Sequence, residues 1–229
     1  MNKTSNYKKF RNSRKQRGFT LIELLIAMAI TTIVSAGIFS AYRSQQNAQL
    51  AQKQIVEMQQ NLRAAMYIMT REIRMAGYDP HGNSGAKITT AGDGSNGNPL
   101  GFTFVADNDN DDNDNDGTTD EPGELKFIEY DLYVGYSSQG ETGNDIGRKI
   151  GAGNRQALAE NIQSLQFTYL DKNGNAMAFT ANKIPISDLP DIRSIQIAIT
   201  ATADVDERDY TGGNNRTLTT TVKCRNLGL

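Results

Sequence analysis

Two groups of side chains in this sequence have types and spacings that could do chemistry. The first is a lone glutamate in the stretch RGFTLIELLIAMAITTIVSAGIF, Arg17–Phe39, where Glu23 is the only charged side chain after Arg17. A carboxylate at the centre of a membrane helix costs about 2.5–3.5 kcal/mol. Two buried charges are tolerable only as a pair, so Glu23 is expected to meet a cationic partner. The second group is DNDNDDNDNDGTTDEPGE, Asp107–Glu124, with six carboxylates between Asp107 and Asp116. These repel one another unless they are solvated or gathered around a cation. Asp112, Asp114, Asp116 and Gly117 follow the D-x-[DN]-x-[DN]-G opening of a calcium loop. Alternate side chains would converge on Ca²⁺, Thr118 adding its carbonyl and Asp120 a direct or water-mediated ligand. Mg²⁺ fits less well, because it seldom uses all-protein cages. The pattern departs at its twelfth position, Gly123, where a bidentate glutamate is expected; Glu121 and Glu124 stand out of place. Asp107, Asp109 and Asp111 offer another register, and a solvated acidic loop without an ion is the alternative.

The remaining candidates argue against an enzyme. His81 and Cys224 are each the only residue of their type, 143 positions apart. A lone histidine beside Gly82 reads as exposed, and it weakens any zinc or histidine-based proposal. A lone cysteine excludes an intramolecular disulfide and reads as a small buried apolar residue. No nucleophile elbow, P-loop or HExxH is present.

These groups sit on a chain of uneven charge. Residues 1–18 carry seven basic side chains and no acid, which leaves 17 basic against 26 acidic residues in the rest. The acidic remainder argues against a nucleic-acid surface. From Leu24 to Tyr42 there are 19 uncharged residues, about 28 Å of helix and enough to cross a bilayer. Positive charge before the span and acidic charge after it place the N-terminus in the cytoplasm and the bulk outside. A secretory signal peptide has the same outline, and Ser35-Ala36-Gly37 imitates its cleavage site. The Arg17-Gly18 boundary, however, comes before the apolar run. A plain single-pass anchor would leave Glu23 without a purpose.

Arg17-Gly18-Phe19-Thr20-Leu21-Ile22-Glu23-Leu24 resembles the cleavage and methylation motif of type IV prepilins and type II secretion pseudopilins. The resemblance implies that a membrane prepilin peptidase cuts between Gly18 and Phe19 and N-methylates Phe19. Glu23 would then be fifth in the mature chain, its partner the terminal ammonium of a neighbouring subunit.

The apolar run continues into a patterned helix. No Pro occurs before Pro80 and no Gly between Tyr42 and Ala76, while Ile55, Met58, Leu62, Ala65 or Met66, Met69, Ile73 and Ala76 recur in steps of three and four. That is one helical stripe, with a charged opposite face. Its methionines Met58, Met66, Met69 and Met75 read as core filling. Gly77 and Pro80 signal the stop. The spacing predicts a helix from Phe19 to Ala76, 58 residues or about 87 Å, with Gly37 and Ser40 as points of local flexibility. Many major pilins carry a proline where this chain has Ser40, so the stretch is more similar to minor pilins and pseudopilins. Gln59–Pro80, with Arg74-Met75-Ala76-Gly77-Tyr78, resembles PilW-type minor pilins, and J-type minor pseudopilins have a related helix.

The second half reads as β. Residues 82–99, rich in Gly, Asn and Ser, read as a loop. Strands are expected at Leu100–Val105, Glu124–Val134 with a bulge near Phe127, Ser164–Leu170 before an Asn173-Gly174 turn, around Ile195–Thr202, and around Leu218–Cys224. Alternation with one polar face predicts an antiparallel sheet covered by the helix stripe, an α+β fold. NIQSLQFTYLD and VKCRNLGL, and Asp120-Glu121 before a strand with Tyr130, also resemble the PilW type.

The expected division is a leader at 1–18, a membrane or filament-core helix at 19–42, its amphipathic continuation at 43–77, and a β-rich periplasmic or extracellular domain at 78–229 with an acidic loop at 107–124. The resemblance implies a minor type IV pilin with no catalytic residue. It would be held in the bacterial inner membrane, then incorporated with other minor and major pilins by the inner-membrane assembly machinery, to prime the pilus or form part of its tip. Motility by twitching, adhesion and DNA uptake are the roles such filaments serve. The alternatives are a pseudopilin of type II secretion and a membrane-anchored calcium-dependent adhesin.

Overall fold

The structure is a computed structural model that describes residues 18–82, 84–106, 112, 124–136, 142–202 and 215–227. The chain divides into two compact units, Met1–Asn47 and Ala48–Leu229.

Helix α1, Leu21–Ile73, contributes to both units. It is somewhat shorter than the expected Phe19–Ala76 and passes through Gly37 and Ser40 without interruption. Its first part, up to Asn47, has no buried residue. From Ala51 onward Met58, Leu62, Ala65, Met66, Met69 and Ile73 are buried, which is the stripe read from the spacing, with Ile55 partly buried against the same core. The helix ends by tightening: Met75 N–H donates to Glu72 carbonyl and Ala76 N–H to Ile73 carbonyl, at 2.9 and 3.1 Å. Gly77 then takes φ +78° and donates its N–H to Thr103 carbonyl at 3.0 Å. The positive φ favours glycine, and a β-carbon there would lie 2.5 Å from Leu227 Cδ2, so that side chain would have to shift.

Among the described residues the second unit holds two antiparallel sheets, where a single sheet was expected. Strands β1 (Ile88–Ala91), β2 (Leu100–Val105), β3 (Leu125–Tyr136), β4 (Thr142–Ile150) and β5 (Gln156–Ala159) form a five-stranded meander in chain order. Strands β6 (Ile162–Leu170), β7 (Ser194–Thr202) and β8 (Asn215–Lys223) form a three-stranded one, with a 3-10 helix, Ile186–Asp191, before β7. The stripe of α1 shares one apolar core with Leu100, Phe102, Ile128, Tyr130 and Ile146 of the first sheet and Phe167, Tyr169, Ile195, Ile197 and Val222 of the second. Cys224 is buried there, and burial pushes its thiol up to about 12, as suits an inert core residue.

Residues 82–99 are not all loop, because β1 lies among them. The segment after β1 also ties the sheets together. Asp93 carbonyl accepts from Phe167 N–H of β6 and Gly94 carbonyl from Leu132 N–H of β3, both at 2.9 Å. Buried Tyr169 Oη donates to Gly92 carbonyl at 2.7 Å. Gly94, at φ +93°, runs so close to β6 that a β-carbon would sit 3.0 Å from Leu165 carbonyl oxygen. That close passage requires glycine.

The expected bulge near Phe127 is also absent. The β2–β3 register runs unbroken from Leu100↔Tyr130 to Val105↔Leu125. Phe127 points to the face opposite Ile128 and Tyr130, where its ring covers Gly101 and Leu125 stays half-buried. Apolar residues on both faces of β3, not a change of phase, explain the pattern.

Candidate functional site

The site begins with how the helix starts. Thr20 precedes α1, and Glu23 N–H donates to Thr20 Oγ1 at 3.3 Å. In return Glu23 Oε2 accepts from Thr20 N–H and from Thr20 Oγ1, each at 2.8 Å. This reciprocal pair is a capping box, which satisfies amides that the first turn of any helix leaves without partners. T-x-x-E before an apolar run is its sequence signature, a role for Glu23 beyond the expected ammonium partner. Gly18 and Phe19 lie just before the cap in open chain, Phe19 being 92% exposed.

Beyond the cap every large apolar side chain of the run is exposed, among them Leu21, Ile22, Leu25, Ile26, Met28, Ile33, Val34, Ile38 and Phe39. A helix bare on all sides needs an apolar surrounding from outside its own unit, either lipid or other helices. By length and composition α1 is able to cross a membrane.

Residues 13–39 match the prokaryotic N-terminal methylation motif. The chain carries a prepilin-type N-terminus. No curated protein matches the chain. The prepilin motif takes in Gly18, Phe19 and Glu23 and ends at Phe39, before the packed part of α1. Chains with this motif, type IV pilins and pseudopilins, are structural and non-enzymatic. The motif implies processing by prepilin peptidase and assembly with other pilins, and with the apolar helix it fits membrane anchoring followed by pilus assembly.

The structure places the acidic constellation only in part. Of the calcium-loop residues, Asp112 is described and half-buried, while Asp114, Asp116, Thr118 and Asp120 lie outside the described residues. So do the alternative register Asp107-Asp109-Asp111 and most of the leader. No group of three metal-ligating side chains occurs among the described residues. The ends of the acidic segment are well placed, since Ala106 N–H donates to Glu124 carbonyl at 3.0 Å at the mouth of the β2–β3 hairpin. His81 is exposed, as read.

Two polar clusters escaped the sequence reading. On the edge of the α1 stripe, three residues after Met69, Glu72 is gripped by Arg148 of β4 through both carboxylate oxygens, with Nε at 3.0 Å from Oε2. Tyr130 of β3 donates its hydroxyl to the same Oε2. Burial first, and then the charge of Glu72, push the Tyr130 hydroxyl far above its ordinary value. The hydrogen bond to Glu72 raises Arg148 in turn. Asp131 of β3 is 1% exposed, with Arg155 Nη2 at 2.7 Å from its Oδ2. Burial still outweighs that guanidinium and raises the Asp131 carboxyl. Both clusters pin elements together across long sequence separations, and neither has a local signature.

Proposed function

We propose that this chain is a minor type IV pilin of the PilW type, cut between Gly18 and Phe19 and N-methylated on Phe19. It is then incorporated at low copy into a pilus, which it primes or tips. The observation that carries this reading is the prepilin motif joined to an apolar helix exposed on every side, with Glu23 one turn in. In the filament Glu23 meets the methylated terminal amine of a neighbouring subunit, which offsets the cost of burying its charge among apolar helices. The uninterrupted helix through Ser40, and the Arg74–Tyr78 ending, support the minor-pilin reading. Division at 18, 42 and 77 and passage from the inner membrane to the cell surface belong to the same proposal.

The test is mass spectrometry of sheared surface fibres. A peptide beginning at N-methylated Phe19, at a low ratio to the dominant pilin, is the expected result. Methylated Phe19 in membranes but absent from fibres would favour a pseudopilin of type II secretion, to which the J-type likeness of the helix also points. Only uncut chain, in cells with an active prepilin peptidase, would sink both readings. A Ca²⁺ ion held by Asp112, Asp114, Asp116, Thr118 and Asp120 is a separate expectation. Calorimetric titration of the full chain with CaCl₂ should show binding that Asp114→Asn with Asp116→Asn removes, and a flat titration of the unaltered chain rejects it.

A further inference from the structure

We propose that the free edge of β8 takes up an extended strand of a partner protein, acidic at both of its ends. β8 lies at the margin of the order β6-β7-β8 and pairs with β7 without a register shift, from Ser194↔Lys223 to Thr202↔Asn215. Just beyond it, Cys224 N–H donates to Arg193 carbonyl at 2.9 Å. Hydrogen bonding alternates along an antiparallel ladder, so Val222, Thr220 and Leu218 turn their backbone groups toward β7. Thr217, Thr219 and Thr221 turn theirs outward, and all three residues are exposed. Among the described residues no backbone hydrogen bond reaches that edge.

The other sheet margins are short or already covered. β1 and β5 have four residues each, and Ala91 carbonyl of β1 accepts from Ile184 N–H at 2.9 Å. On the far side of β6, Phe167 N–H donates to Asp93 carbonyl and Tyr169 carbonyl accepts from Met177 N–H, each at 2.9 Å. Folded proteins usually shorten, bend or cover an edge, because a long bare one is a template for strand addition. β8 keeps nine residues, NRTLTTTVK, with no proline.

The same residues state the occupant's chemistry. Main-chain bonds to Thr217, Thr219 and Thr221 require an extended segment. Arg216 and Lys223 are the charged residues of β8, and neither forms an ion pair among the described residues. They stand seven positions apart, so the residues facing them are the first and eighth of the added strand. Carboxylates at those two places make opposite-charge cross-strand pairs, and β-branched residues between them suit the threonines. A second copy of β8 would bring the same two cations and no acid, so charge selects a different chain. The inference concerns the second unit alone and does not depend on processing at Gly18.

The experiment uses the full chain in neutral detergent micelles and a fluorescein-labelled peptide of alternating valine and threonine between two terminal glutamates. Fluorescence anisotropy should show saturable binding, lost when the amides between the glutamates are N-methylated, since that peptide cannot pair. Thr219→Pro removes an outward donor but no bond of the β7 ladder, and should weaken binding about tenfold. Arg216→Glu with Lys223→Glu should reverse the preference, so that a lysine-ended peptide binds better than the glutamate-ended one. Circular dichroism melting shows whether each variant is folded, and the N-methylated peptide decides on the unaltered chain alone. No binding of the glutamate-ended peptide, equal binding of its N-methylated form, or no loss in folded Thr219→Pro overturns the proposal. So does a folded double variant that keeps the original preference. Self-association of the unaltered chain that Thr219→Pro abolishes, without peptide binding, also overturns it, because the occupant is then a second copy.

Discussion

The two parts of α1 share one secondary structure and face different solvents. From Leu24 to Tyr42 the helix is apolar on every side and buries nothing, whereas from Ala51 to Ile73 it buries a single stripe against its own sheets. Among the described residues the first part buries no side chain within its unit, so its apolar side chains serve an environment outside the chain. The second derives its position from packing, with Ala65, Met69 and Ile73 at 0% exposure. Helical geometry is thus common to both, and the width of the apolar surface decides what each part is for.

Substitutions should separate the two parts most sharply at matched chemistry. Met69→Ala opens a cavity in the shared core and should cost about 2–5 kcal/mol, measured by denaturant unfolding of the full chain in detergent. Ile33→Ala in the exposed part should change the same midpoint by no more than about 0.5 kcal/mol. If Ile33→Ala proves as costly as Met69→Ala, the contrast fails.

A smaller loss is expected where the packed part is held by polar bonds. Arg148→Met leaves Glu72 with Tyr130 alone, and should cost about 1–3 kcal/mol in the same assay. At the helix start, Thr20→Ala removes the cap and should cost about 0.5–2 kcal/mol of local stability, seen as faster amide exchange over residues 21–24 and no change in global unfolding. An effect of Thr20→Ala on global unfolding would overturn the local reading of the cap.

The smallest effect is expected at Asp131 and depends on pH. Its folded value lies above that of the unfolded chain, because burial disfavours the charged carboxylate. Stability from this group is therefore full below the ordinary carboxylate range and falls as pH rises through the folded value. Asp131→Asn should be at least as stable as the wild type at neutral pH, with the difference shrinking towards acid. Urea unfolding across pH 3–7 checks this, and a variant that is less stable at neutral pH would show that the Arg155 contact outweighs burial.

Several elements were legible from local pattern, and the reasons are specific. Strands β6, β7 and β8 alternate over most of their length, and Phe167, Ile195, Ile197 and Val222 are buried on one phase of them. Strand β4, Thr142–Ile150, carries Gly, Asn and Asp and has no strand signal of its own. It forms because β3 pairs with it along nine positions, a tertiary effect that outweighs propensity. The four-residue strands β1 and β5 are too short for a period to emerge. Gly18, Phe19 and Glu23 stand in a contiguous motif and were readable, whereas Glu72 meets residues 58 and 76 positions away. No local spacing encodes such a meeting, since it follows from the register of β3 with β4 and from where the stripe lies on the sheet.

The mouth of the β2–β3 hairpin has a further consequence. Val105 faces Leu125, and the pair is closed by the bond from Ala106 to Glu124. The entropic cost of closing a loop grows only with the logarithm of its length, about 0.6 kcal/mol for each doubling. Lengthening the segment between those two fixed ends therefore adds little closure cost to the pairing at the mouth. By this cost alone the hairpin acts as a socket, able to take a longer insert while the pairing at its mouth is kept. An epitope tag placed there by hand should be accepted on the same terms.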